Sequence, residues 1–77
     1  MNRIELQKGI ATRTLQMRDA RGWTQKELAK RAGIKRDTLA SLETRTCMPS
    51  LMTVIGLARV FGITIDYLVF GGGVDVD

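Results

Sequence analysis

The sequence fixes one helix at both of its ends, and that helix is short. Thr24-Gln25-Lys26-Glu27 has the form of a capping box, in which the Thr24 hydroxyl accepts from the Glu27 backbone N–H and the Glu27 carboxylate accepts from that of Thr24. Trp23 occupies the staple position before the cap. Gly33 then supplies the left-handed residue that stops a helix. Between these signals Leu28, Ala29 and Ala32 share one face. A second helix follows almost at once: Ile34 is the apolar turn residue, and Leu39 with Leu42 gives the next inward stripe, at i and i+3. Arg36, Asp37, Ala40, Ser41 and Thr44 lie on its other side. Two helices this short cannot hold themselves together, so the chain must pack helix against helix.

The remaining segments read the same way. A first helix is expected from roughly Lys8 to Ala20, with Ile10, Thr14 and Met17 inward and Arg13, Gln16 and Arg21 mostly outside. Residues 1–7 either extend it or form an arm. Pro49-Ser50 marks a new start, with Ser50 as N-cap and Leu51, Val54, Ile55, Ala58 and Phe61 inward as far as Gly62. Thr64 caps a last short helix, with Asp66 near its positive end and Tyr67, Leu68 and Phe70 apolar. Only Ile63-Thr64-Ile65 and Val74-Asp75-Val76-Asp77 alternate, too briefly to build a sheet. The expected fold is all-α, five helices over residues 1–70, followed by a flexible tail over 71–77 where Gly71-Gly72-Gly73 opens no helix. At 77 residues the chain has room for one core, and that core needs close packing or an oligomer partner.

Charge and residue inventory narrow the function. Residues 1–45 carry eleven basic and five acidic side chains, whereas residues 46–77 carry one and three, so one part of the domain holds the positive field. With an isoelectric point near 9.8, a nucleic-acid backbone is the natural partner for that asymmetry. There is no His and a single Cys, which excludes an internal disulfide and a zinc site of known spacing. The usual nucleophile–base pairs and a phosphate-cradling glycine loop are missing as well, so no enzyme and no cofactor is expected. Cys47 reads as an unpaired loop thiol and Trp23 as a core residue. Neither a membrane span nor a signal-peptide core is found, and a cytoplasmic location is expected.

The two helices around Gly33 meet the requirements of a helix-turn-helix. Counting Gln25 as position one, a small residue is needed at position five, where the helices touch, and glycine at position nine; Ala29 and Gly33 stand there. The apolar positions four, ten, fifteen and eighteen are Leu28, Ile34, Leu39 and Leu42. At these residues the sequence resembles the helix-turn-helix family of phage lambda repressor and Cro. The likeness runs from Ile10 to Leu68 and includes Arg18, Gly22-Trp23-Thr24-Gln25-Lys26-Glu27-Leu28-Ala29, Gly33-Ile34, Leu42-Glu43, Pro49-Ser50, Leu57-Ala58, Phe61-Gly62 and Asp66-Tyr67-Leu68.

The resemblance implies a five-helix DNA-binding domain whose third helix enters the major groove, usually as a two-fold dimer on a pseudo-palindromic operator. On this expectation Arg36, Asp37, Ala40, Ser41 and Gln25 read bases, although Gln25 equally suits a backbone contact. Asp37 either accepts from a cytosine amine or merely complements the helix dipole. Lys30, Arg31, Lys35, Thr44 and Arg45 are the expected phosphate contacts, and Arg18 and Glu43 the expected structural ion pair. The function so implied is sequence-specific transcriptional regulation, as a repressor by operator occupancy. The alternative is an antitoxin-like or adaptor module that mainly holds a protein partner. Two positions depart from the family pattern. Arg45 stands where relatives commonly have Gly, so the third helix must end on a less favourable left-handed residue or another geometry. Lys35 replaces the usual Ser or Thr cap and cannot accept a bond there; it meets a phosphate or is a plain surface lysine. A homodimer is expected through Ile63, Ile65, Tyr67, Val69 and Phe70, with an arm of residues 1–7 as the competing interface.

Overall fold

A computed structural model describes residues 2–71; residues 72–77, nearly all of the expected tail, lie outside the described residues. Five helices follow one another: α1 (Arg3–Ala20), α2 (Gln25–Ala32), α3 (Arg36–Glu43), α4 (Leu51–Phe61) and α5 (Ile65–Phe70). No strand occurs among the described residues. α1 packs on α3 and α5, α2 on α3 and α4, and α4 on α5. Leu28, Leu39, Leu42, Leu57 and Leu68 fill the centre, with Ile10, Val54, Ala58 and Phe61 around them.

The caps at Thr24, Ser50 and Thr64 each accept from a backbone N–H three residues on, as the sequence predicts. At the start of α1 the helix is extended, one of the two alternatives open to residues 1–7. Asn2 caps it by accepting from the Glu5 N–H while Glu5 accepts from the Asn2 N–H, so residues 3–7 are helix and not an arm. Asn2-x-x-Glu5 is itself a capping-box pattern, and it is what decides for the extension over the arm.

Three side-chain assignments change. Leu51, the first residue of α4, is 68% exposed. Leu57 takes the central place instead, with Ile55 only half-buried. Arg13 is not on the outer face: its Nε donates to the Leu68 carbonyl at 2.8 Å and a terminal nitrogen to that of Val69 at 2.7 Å. A guanidinium there satisfies the orphan carbonyls at the negative end of α5 and docks that six-residue helix on α1. Thr14 is fully buried as expected, yet its hydroxyl has no hydrogen-bond partner among the described residues.

Gly56 sets the distance between α2 and α4. A Cβ at this position would lie 2.6 Å from the Ala32 carbonyl oxygen, a backbone atom that cannot rotate away. Gly56→Ala gains about 1 kcal/mol of helix propensity. Against that, forcing the helices apart costs about 1–3 kcal/mol. The expected result is a lower denaturation midpoint with an unchanged m-value in urea titrations; a higher midpoint would mean the helices separate freely.

The capping box of α2 carries a pH dependence. The Thr24 backbone N–H, followed by the Thr24 hydroxyl, holds the Glu27 carboxyl below its ordinary pKa. A depressed carboxyl contributes stability that is complete above its unfolded pKa and disappears as pH falls through the folded one. Glu27→Gln keeps an acceptor for the N–H but cannot titrate. The wild-type advantage over this variant in thermal melts is therefore expected at neutral pH and vanishes on acidification.

Candidate nucleic-acid interface

Three helices converge on Glu43, which ends α3. Arg18 reaches it from α1, Nε donating to Oε2 at 2.9 Å and a terminal nitrogen to Oε1 at 3.1 Å. The same guanidinium donates to the Trp23 carbonyl at 2.8 Å, just ahead of α2. From the first residue of α2, the Gln25 amide nitrogen donates to Glu43 Oε1 at 2.9 Å. The Arg18 and Glu43 side chains are only 14% and 4% exposed. Glu43 raises the pKa of Arg18, first by this hydrogen bond and then through its charge, with burial opposing.

The far end of the pair is shaped by Gly33, at φ 72°, which ends α2 and lets the chain turn directly into α3. Lys35 precedes α3 in extended geometry, with no side-chain cap, so the helix-end N–H groups remain free for an acceptor from outside. α3 ends on Arg45 in the left-handed region, at φ 64°. Of the two endings open to the sequence, this is the costlier residue in the ordinary motif: Arg45 N–H donates to the Leu42 carbonyl and Thr46 N–H to that of Ser41. Gln7, from the first turns of α1, donates to the Arg45 carbonyl at 3.0 Å.

Leu39 and Leu42 are buried, and the opposite face of α3 is turned outward. Arg36 and Asp37 are exposed and join no ion pair among the described residues, while Ala40 and Ser41 are half-buried beside them. Lys30, Lys35, Thr44 and Arg45 are exposed along the border. Three of the sequence-selected residues have other engagements. One Gln25 N–H is taken by Glu43. The Thr44 hydroxyl lies against the Ala40 and Ser41 carbonyls at 3.0 and 3.2 Å. Arg31 is exposed but stacks on Trp23, 4.5 Å from the ring centre, and Trp23 in turn stacks on Phe61.

A model described as helix-turn-helix matches residues 15–68, the stretch from α1 through α5 that holds this geometry. The chain belongs to the helix-turn-helix family. Two proteins of Archaeoglobus fulgidus, each named an uncharacterized HTH-type transcriptional regulator, are similar to it. One is 42% identical over 59 residues, covering 77% of this chain and 84% of the relative. The other is 42% identical over 57 residues, covering 74% and 80%. A crystal structure of the hypothetical transcription factor NHTF from Neisseria superposes with a TM-score of 0.78 at 25% identity, over 84% of this chain and 75% of that one. The helix-turn-helix chain thus falls in a class of DNA-binding transcription regulators, not of enzymes. None of its helices, among the described residues, is long and apolar enough to cross a membrane.

Proposed function

We propose that this helix-turn-helix protein is a sequence-specific regulator that inserts α3 into the major groove of double-stranded DNA and represses by occupying an operator. The observation that carries the reading is the outer face of α3: Arg36 and Asp37 stand exposed beside Ala40 and Ser41, with no large apolar group among them. An adaptor that bound its partner through α3 would need an apolar patch there. Arg36 and Ser41 read base edges, Ala40 leaves room for a thymine methyl, and Asp37 suits a cytosine amine. Gln25 retains one amide N–H and its carbonyl after bonding Glu43, enough for a phosphate or a single base contact. Lys30, Lys35 and Arg45 steer the backbone; Thr44 and Arg31 contribute less, since their polar groups are engaged.

The protein works as a cytoplasmic homodimer, with residues 1–70 as the folded unit. Exposed Ile65, Tyr67 and Phe70 on α5 support a two-fold interface. Ile63 and Val69 do not add to it, being packed against the core. Sedimentation at micromolar concentration should give a dimer, and Tyr67→Asp a monomer; a wild-type monomer that stays monomeric on DNA refutes the dimer. Selection from random duplexes tests the whole reading. The expected yield is a pseudo-palindrome with half-sites about 10 base pairs, or ~34 Å, apart. No enrichment at any salt concentration would overturn it.

A further inference from the structure

Away from the reading face, a groove runs between the α2–α3 turn and the outer side of α4. Two adjoining hollows form it, sharing Ala32, Gly33, Gly56 and Arg59. Ala32, Gly33 and Gly56 keep it shallow-walled and narrow, since Gly56 brings the end of α2 against α4. Ile34, Ile55 and Met52 line the apolar wall, and Met52 is 74% exposed. Every charged residue along both hollows is basic: Lys30, Arg31, Lys35 and Arg59. None of the four forms an ion pair among the described residues. Glu27 borders a neighbouring notch with Lys30 and Arg31, but its carboxylate bonds the Thr24 N–H.

We propose that this groove docks an acidic, apolar-studded segment of a partner protein. Charge complementarity selects the acid, since four unpaired cations repel one another until carboxylates lie between them. The exposed Met52, with Ile34 and Ile55 along the same wall, selects the apolar side chains. A phosphodiester backbone would answer the cations and leave this wall in water, whereas a peptide with alternating acids and leucines answers both. Methionine suits the task, being flexible and polarizable enough to pack against varied side chains. Thr38 is the α3 residue that reaches the groove, together with Lys35 at its border; Arg36, Asp37 and Ser41 do not line it. A regulator seated on DNA shares the Lys30 and Lys35 rim with phosphate but keeps Arg59, Met52 and Ile55 open to its partner.

The test is nuclear magnetic resonance on the full chain, isotope-labelled and titrated with a synthetic peptide alternating glutamate and leucine. Shifts are expected at amides of Lys30 to Lys35 and Met52 to Arg59. Arg59→Glu and Met52→Asp, both exposed substitutions with unchanged melting expected, should each weaken binding by about tenfold or more. A peptide with every glutamate replaced by glutamine should bind at least about tenfold more weakly. Absence of shifts, shifts confined to Arg36–Thr44 or to α5, or equal binding of the glutamine peptide would overturn the proposal. So would a duplex of random sequence that shifts the groove amides where the peptide does not, which would make the groove a phosphate surface. The failure of this site would leave operator selection by α3 untouched, so the two readings are separable.

Discussion

Glu43→Gln should lower the melting temperature more than any other single polar substitution in this chain. Glutamine matches glutamate in shape and still offers an oxygen to Gln25, so the change isolates one charge. What remains is the Arg18 guanidinium, 14% exposed, with only the exposed Asp19 carboxylate, 4.0 Å away, to answer it. It cannot escape by losing its proton, because arginine stays charged at any accessible pH. Breaking one side of a buried pair costs about 3–5 kcal/mol, and the residual exposure of Arg18 puts the cost near ~3. For a domain of this size that is a fall of about 12–24 °C in the melting temperature. Gln25→Ala, which removes a neutral donor from the same carboxylate, should cost only ~1 kcal/mol. If the two variants melt alike, the charge is neutralised by solvent and Glu43 acts as a hydrogen-bond acceptor only.

Arg36→Ala and Lys35→Ala should fail in different ways on DNA. Both side chains are exposed at the start of α3, so neither substitution disturbs the core. Losing Arg36 should cost ~1–3 kcal/mol on the preferred operator and relax the preference at one base, a guanine by arginine's match to O6 and N7. Losing Lys35 should weaken preferred and scrambled duplexes equally and flatten the salt dependence by about one unit of slope. Titrations of both variants at several salt concentrations check this. Equal losses on both duplexes for Arg36→Ala would make it a phosphate contact and move the reading face elsewhere on α3.

Much of this arrangement was legible in the sequence, because caps and apolar spacing are local signals. Thr24, Gly33, Ser50 and Thr64 mark helix ends through bonds to residues three or four positions away, and those bonds form wherever the rest of the chain lies. Leu28, Leu39 and Leu42 are buried as the period requires. The errors arose where long-range contacts decide. Nothing near Arg13 shows that α5 will end beside it, and nothing near Leu51 shows that it will stay in solvent while Val54 is buried. Arg31 reads as a free surface cation until Trp23 is found beneath it. The groove was illegible for the same reason: Met52 and Arg59 meet Lys35 and Lys30 only after α4 has folded back across α2.

The clamp on Glu43 also bears on how such a protein can change its target. Arg18, Gln25, Leu39 and Leu42 hold α3 from one side, and Gln7 holds the loop behind it. Arg36 and Asp37 stand exposed on the other side, with Ser41 half-buried beside them, and none of the three side chains bonds to the clamp. Substitutions on the two sides share no partners, so their effects on stability should add independently. A lineage carrying this clamp can therefore exchange its reading residues one at a time, drifting from one operator to another without passing through an unfolded intermediate.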